Sequence, residues 1–361
     1  MSEWKKVKLG EIASAIQTGP FGSQLHQSDY SDYGIPVVMP KDIINGRIEE
    51  ATIAHVEQHH VDRLSRHKIS KGDILYARRG DVGKCAFATE NQEGWLCGTG
   101  CLRVTINNEL AYPKYVFFQL QKCETIGWVE KHAIGATMLN LNTSILGDVP
   151  IELPSLNIQK QVIDILSRYD SLIENYQKQI KLLEEAAQRL YKEWFVDLHF
   201  PGHETTKIVD GVPEGWEKKP ISQLGEYLNG FAFKPSDWQD SGKPIIKIKE
   251  MGNGVSNDTP RNNGERVPVK YLVKAGDLLF SWSATLMVIV WSGEEGWLNQ
   301  HLFKVTPAKG IGREFLLQSI SNTIEEFQNL TTGSTMKHIQ RNKLDQVFTN
   351  VPNDEIMALY R

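Results

Sequence analysis

Residues Ser155–Phe200 read SLNIQKQVIDILSRYDSLIENYQKQIKLLEEAAQRLYKEWFVDLHF, with no Pro or Gly until Pro201-Gly202. Ile158, Val162, Ile165, Tyr169, Leu172, Tyr176, Gln179, Leu183, Ala186 and Leu190 follow one another at alternating spacings of four and three. That is a heptad seam carrying one polar residue, Gln179, at a core position. Ile163, Leu166, Ile173, Ile180, Leu182 and Ala187 widen the apolar stripe, so the helix also packs against something other than a coiled-coil partner. Ser155 or Asn157 supplies a capping oxygen at its start. About 40 residues at roughly 1.5 Å each make a rod about 60 Å long. A rod apolar along one side needs an antiparallel partner or a protein docked along it. The competing reading is a long core helix of one large domain.

On either side of this helix the chain repeats itself. Trp4-Lys-Lys-Val-Lys-Leu-Gly-Glu-Ile is echoed by Trp216-Glu-Lys-Lys-Pro-Ile-Ser-Gln-Leu-Gly-Glu, and Ile35-Pro-Val-Val by Pro244-Ile-Ile-Lys-Ile. Lys71-Gly-Asp-Ile-Leu-Tyr returns as Lys274-Ala-Gly-Asp-Leu-Leu-Phe, Leu102-Arg-Val-Thr as Phe303-Lys-Val-Thr, and Gly135-Ala-Thr-Met as Gly333-Ser-Thr-Met. Ordered matches of this kind mark the duplication of a whole domain. The last match, at an offset of 198, places Pro352-Asn-Asp-Glu-Ile on Pro154-Ser-Leu-Asn-Ile. It predicts a second long helix, of which about two turns precede Arg361.

The boundaries follow: a first domain over 1–154, the helix over 155–200, a second domain over 201–352, and the start of another helix over 353–361. Within the first domain, short apolar runs (Ile35–Met39, Ile74–Ala77, Cys101–Ile106) alternate with Gly- and Asp-rich turns. They predict an α/β (α+β) fold with a twisted, mainly antiparallel sheet. Pro113–Gln121 reads as a helix, and Thr137–Ile145 as a short helix or turn.

Composition narrows the class. A chain of 361 residues holds two or three domains. Its longest apolar run, Leu278–Trp291, is too short and too polar to span a bilayer. The first residues lack the apolar stretch of a signal peptide. Cys85, Cys97, Cys101 and Cys123 all fall in the first half, which suits reduced thiols in a cytoplasmic protein, with Cys97 and Cys101 buried and structural. The net charge is −4, and Lys+Arg against Asp+Glu count 16 and 18 over 1–154, 6 and 7 over 155–200, and 18 and 19 thereafter. A DNA-binding role therefore requires cations gathered on one face, or supplied by a partner.

Catalytic signatures are absent from the sequence. Gly80-Asp-Val-Gly-Lys-Cys is one spacer short of a phosphate-binding loop and lacks the hydroxyl for Mg²⁺. There is no Asn/Asp-Pro-Pro-Tyr/Phe for a flipped base. His55, His59 and His60 adjoin no Cys or carboxylate at metal-ligand spacing and read as surface residues. The sequence points to a binding protein.

Three stretches have the composition of DNA readers. Gln17-Thr-Gly-Pro-Phe-Gly-Ser-Gln-Leu-His is a glycine-rich loop with polar tips, matched by Asn229-Gly-Phe-Ala-Phe-Lys. Ala77-Arg-Arg-Gly-Asp-Val-Gly-Lys puts three cations on a turn, where arginine forks onto guanine and lysine holds phosphate. Its counterpart Ser281-Trp-Ser-Ala has none. Gly135-Ala-Thr and Gly333-Ser-Thr-Met-Lys-His offer free N–H groups and hydroxyls to a phosphate. Ordinary turn chemistry is the alternative for each. The candidate contacts are Thr18, Ser23, Lys41, Arg78, Arg79, Lys84 and Thr137 in the first copy. In the second they are Lys234, Lys249, Ser281, Trp282, Thr335 and Lys337.

The whole pattern resembles the specificity (S) subunits of type I restriction–modification enzymes. The resemblance is carried by Trp4-x-x-x-x-Leu-Gly-Glu-Ile, Gly19-Pro-Phe-Gly-Ser, Lys71-Gly-Asp-Ile-Leu, Gly135-Ala-Thr-Met with Ile151-x-Leu-Pro, Gln161, and Tyr191-Lys-Glu-Trp-Phe near the helix end. It covers nearly the whole chain and implies two target recognition domains separated by two long helices that pair antiparallel. Each domain would read one half of a split target in double-stranded DNA. Methylation subunits would dock on the helices, here through Ile158, Val162, Ile165, Leu172, Leu183 and Leu190. They carry S-adenosylmethionine, and a restriction subunit adds ATP- and Mg-dependent translocation and cleavage. The S subunit itself binds no cofactor or metal and has no active site. The departure from the family is the second helix, so the seam is expected to pair with a second copy of the chain or to be covered by a partner. Rival readings are a recognition module of another DNA-modifying enzyme, such as a nuclease or methyltransferase, and a scaffold that oligomerises through the helix.

Overall fold

The computed structural model describes residues 4–135, 139–330 and 341–360. It divides into two compact units, Met1–Asn175 and Tyr176–Arg361, with the long helix shared between them in sequence.

In the first unit, strands Ala13–Thr18, Cys101–Ile106, Ile74–Ala77 and Cys85–Phe87 form an antiparallel sheet in that spatial order. In the second unit, Gly225–Asn229, Leu302–Pro307, Leu278–Ser281 and Met287–Val290 repeat that order and sense. The register is kept as well. Arg103 pairs with Gln17 and Leu75, and Lys304 pairs with Leu228 and Leu279. Each cation reaches an aspartate of the repeated Gly-Asp pair, with Arg103 3.4 Å from Asp73 and Lys304 3.4 Å from Asp277. Asp73 is buried, so the strand cation opposite it answers a charge that would otherwise stand unpaired in the interior.

Beside this sheet each unit carries a smaller mixed one. Ile35–Val38 runs parallel to Leu96–Cys97, and Lys243–Ile246 runs parallel to Gly296–Leu298. The remaining pairings between strands in the described residues are antiparallel, as the alternating strand patterns suggested, with one isolated parallel bridge between Phe231 and Asn299. A short pair closes each unit at its base, Lys5–Lys8 with Pro150–Leu153 and Glu217–Pro220 with Phe348–Val351. Helices Pro113–Leu120 and Arg313–Asn322 bury Tyr115, Val116 and Leu120, or Phe315, Leu316 and Ile320, against the main sheet.

The long helix spans Leu156–Tyr191, 36 residues, or about 54 Å. Its start belongs to the first unit. Gln159 is fully buried, donates to Pro154 O at 2.9 Å and accepts from Tyr112 N at 2.9 Å. Ile158 is half-buried, and Val162 packs on the core of the first unit. Val162 is thus claimed by the first unit, and Ile158 is partly covered. The far end belongs to the second unit, where the Tyr191 hydroxyl meets Ser319 Oγ at 3.1 Å and Thr349 Oγ1 at 2.9 Å.

The regular helix stops at Tyr191, short of Phe200. A wider turn takes over at Lys192–Val196, closed by Asp197 N donating to Lys192 O at 2.8 Å, and Leu198 adopts φ 63°. This ending buries Phe195 and Phe200 in the core of the second unit. Between its two anchored ends the seam is open. Ile165, Leu172, Leu183 and Leu190 are 57, 46, 70 and 43 % exposed. The helix Asp354–Tyr360 begins where the repeat placed it.

Candidate nucleic-acid interface

In the first unit, four loops meet where the strands end. Gly19 N donates to Cys101 O at 2.9 Å, and Gly19 lies so close to the Gly98 carbonyl that a Cβ would collide with it. Gly98 N donates to Val38 O at 2.9 Å, Gly100 packs on Pro40, and Arg78 N donates to Gly100 O at 2.9 Å. The loops after Thr18, Val38, Ala77 and Cys97 are therefore tied together by backbone contacts. The Arg78 guanidinium stands over the half-exposed ring of Phe21, 5.8 Å from its centroid. Leu141 N donates to Arg78 O at 2.8 Å and Gly80 N to Leu139 O at 3.3 Å, which holds the arginine turn from below.

The second unit builds the same junction from different side chains. Gly230 N donates to Leu302 O at 3.0 Å, and a Cβ there would collide with Asn299 O. Asn299 N donates to Ile246 O at 3.1 Å, and Trp282 N to His301 O at 3.4 Å. Trp282 thus occupies the backbone node of Arg78. Its indole N–H donates to Asn229 Oδ1 at 3.2 Å, and its ring lies 5.6 Å from that of His301.

Thr18, Ser23, Lys41, Arg78, Arg79 and Lys84 lie on or beside these loops, but the side chains are not equally available. Arg79 and Ser23 are exposed. Lys84 pairs with Asp81 at 2.9 Å, and Lys41 donates to Thr52 O at 2.9 Å. In the second unit Lys234 and Lys249 are exposed. Ser281 is a correction. It is fully buried, its hydroxyl donates to Thr285 O and accepts from Met287 N at 2.9 Å, and it serves to close the hairpin. Thr137, Thr335 and Lys337 lie outside the described residues.

Burial shifts the pKa of several groups in the first unit. Asp42, which accepts from Met39 N at 2.8 Å, has its pKa raised by burial. Burial also pushes the thiols of Cys85 and Cys97 up to about 12 and that of Cys101 well above its usual value. Cys123 is exposed. Among the described residues, no group of three or more His, Cys, Asp or Glu is placed to hold a metal ion, and no helix is long and apolar enough to cross a membrane.

The loops named from the sequence contain Phe21 and Asn229 without singling them out, and sequence reasoning missed His301, Lys247 and Trp238. Lys247 follows the strand Lys243–Ile246, and its Nζ sits 4.4 Å above the ring of Trp238. The signal that finds it is register: Val38 and Ile246 accept equivalent bonds, so Lys247 stands where the first unit has Met39.

Two copies of one α+β unit, each tying unlike side chains to the same loop junction, define a duplicated recognition protein. The family model for the type I restriction modification DNA specificity domain matches residues 1–185 and 213–356. The HindI specificity subunit of Haemophilus influenzae is 22% identical over an alignment 433 positions long with its gaps, covering 100% of this chain and 92% of the relative. The putative MjaX specificity subunit of Methanocaldococcus jannaschii is 24% identical, covering 97% of this chain and 83% of the relative. The solved S subunit of a type I restriction–modification system from M. genitalium shares the fold with a TM-score of 0.53 at 13% identity, covering 99% of this chain and 87% of that one. This chain belongs to the type I restriction modification DNA specificity family and carries its domain twice. Its function is that of a DNA sequence specificity subunit, and the family is non-catalytic.

Proposed function

We propose that each unit reads one half of a bipartite duplex target through its loop junction, and that the two half-sites differ in sequence. The observation that carries this reading is the shared node at which the first unit holds Arg78 over Phe21 and the second holds Trp282 against Asn229. One scaffold with two sets of side chains suits two sequences, since base edges are discriminated by the side chains presented to them. In this reading the chain works in a cytoplasmic complex, with methylation subunits docked on the long helix and a restriction subunit joining them. S-adenosylmethionine, ATP and Mg reside on those partners. The test is to map modified sites made by the assembled methylation complex in a random duplex library. A split, asymmetric motif is expected, and a contiguous or palindromic motif would overturn the reading.

We further propose that the open seam between Ile165 and Leu190 takes the same helix of a second copy, antiparallel. The observation in favour is an apolar stripe of five large side chains, each more than half exposed and close in sequence: Ile165, Tyr169, Tyr176, Ile180 and Leu183. Sedimentation of the chain tests it.

A further inference from the structure

In both units the residue that follows the parallel strand closes onto the aromatic residue that follows a short turn. The first unit brings Met39 Sδ to 4.0 Å from the Tyr30 hydroxyl. The second brings Lys247 Nζ to 4.4 Å from the centre of the Trp238 ring. The backbone shows these pairs to be equivalent. Met39 N donates to Asp42 Oδ2 at 2.8 Å and Lys247 N to Glu250 Oε2 at 3.1 Å. His26 N donates to Asp29 Oδ2 at 2.8 Å, one turn before Tyr30, and Lys234 N to Asp237 Oδ2 at 2.7 Å, one turn before Trp238. An ammonium therefore stands where the first unit has a thioether.

The exchange is complementary to the one at the other node. The first unit has a cation at Arg78 and none at Met39, whereas the second has none at Trp282 and a cation at Lys247. In each unit the cation lies over an exposed aromatic ring, Phe21 at 54% or Trp238 at 48% exposure. We propose that Lys247 is the base-discriminating cation of the second unit, donating to a guanine edge in the second half-site, with Trp238 as its positioning residue. This rests on the reading of the loop junctions as the DNA-contacting face.

The surroundings of Lys247 separate it from an ordinary phosphate-binding lysine. Lys249 is exposed, as a phosphate contact requires, whereas Lys247 is half-buried. Burial lowers its pKa, against the opposing pull of Glu250, so its ammonium has already lost part of its hydration. The ring restricts a stem that is otherwise flexible, and a restricted donor discriminates between acceptors better than a mobile one. Buried Glu250 accepts from Thr259 Oγ1 at 3.2 Å and keeps a counter-charge beneath the lysine.

The test uses the assembled methylation complex on the same random duplex library. Lys247→Met installs the residue that the first unit carries in the equivalent cradle, and Lys247→Arg keeps the charge. Lys247→Met is expected to leave the first half-site intact and to lose the preference for guanine at one position of the second. Modification of guanine-bearing sites should fall roughly 10- to 100-fold, and Lys247→Arg should retain the guanine. A motif unchanged at every position in Lys247→Met overturns the proposal. So does a uniform weakening across all second half-sites with a shallower salt dependence, since that is a phosphate contact. Should Lys247→Met fail to assemble, Lys247→Gln is read in the same way. Arg78→Ala run in parallel separates the two readings. Relaxation in Arg78→Ala alone overturns only the role of Lys247, whereas no change in either variant overturns the loop junction as the DNA face.

Discussion

Tyr360 stands edge-on to Phe195, with ring centroids 4.9 Å apart and planes at 82°. One ring comes from the helix at the end of the described chain and the other from the wide turn that finishes the long helix. Phe315 lies 4.9 Å from Phe195 at 89°, and Tyr191 and Trp216 complete the cluster at 5.2 and 5.7 Å. Edge-to-face contacts of this kind add to the apolar burial of the rings. The end of the long helix is thereby made part of the core of the second unit.

Phe195→Ala removes the centre of that cluster. Phe195 is 2 % exposed, so the substitution leaves a cavity and should destabilise the chain by about 3–5 kcal/mol. Chemical denaturation followed by tryptophan fluorescence measures it. A loss below about 1 kcal/mol, the level of surface substitutions, would show that the cluster does not hold the unit together.

The cysteines should divide three to one. Cys85, Cys97 and Cys101 are buried with their pKa values raised, so the reactive thiolate is scarce and shielded, while Cys123 is exposed. A thiol reagent at neutral pH should label one site quickly in the native chain and the other three only on unfolding. Cys123→Ser should abolish the fast phase. Fast labelling of a second cysteine in that variant would contradict the packing described for the sheet.

Much of this architecture was legible because duplication writes the same constraint twice. The repeated Gly-Asp pairs Gly72-Asp73 and Gly276-Asp277 mark equivalent strand starts, and the aspartates turned out to face Arg103 and Lys304. The seam of the long helix was legible from spacing alone, because Ile165, Tyr169, Leu172, Tyr176 and Leu183 are exposed and belong to neither core, so no packing disturbs the heptad there. Its ends were not: Val162 is a seam position and Tyr191 lies just past the last one, but both are claimed by the two cores. In the candidate site the arginine turn drew notice by its cations, whereas Ser281 was picked only as its cation-free counterpart, and hairpin closure turns its hydroxyl inward. Lys247 and Trp238 are nine residues apart, and only the fold brings one over the other.

Arg78 and Arg79 should behave differently although they are adjacent. Arg78 is held over Phe21 with its backbone N–H bonded to Gly100, whereas Arg79 is exposed. Arg78→Ala should cost about 1–3 kcal/mol and relax one position of one half-site, as expected for a positioned base contact. Arg79→Ala should weaken binding evenly across sequences and reduce the salt slope by about 1, as expected for a phosphate contact. Binding of the assembled methylation complex to duplexes varied at single positions distinguishes the two. Base preferences intact in both variants would remove this turn from the reading face.

The open seam makes the strongest demand on the surroundings of the chain. Ile165, Tyr169, Leu172, Tyr176, Ile180 and Leu183 are each at least 46 % exposed. Covering a Leu or Ile side chain stabilises by roughly 1.5–3 kcal/mol when complete. Even half of that, over six residues on each of two helices, exceeds the roughly 8 kcal/mol of a micromolar complex before the costs of association are met. A second copy laid antiparallel supplies a stripe of the same length and period, and Gln179 within the seam favours one register. The chain should therefore sediment as a dimer at micromolar concentration. Leu172→Glu combined with Leu183→Glu should return it to monomers with its helical circular dichroism unchanged, because neither side chain belongs to the core of a unit. A stable wild-type monomer with the helix fully formed would refute the pairing and leave the seam to a different protein.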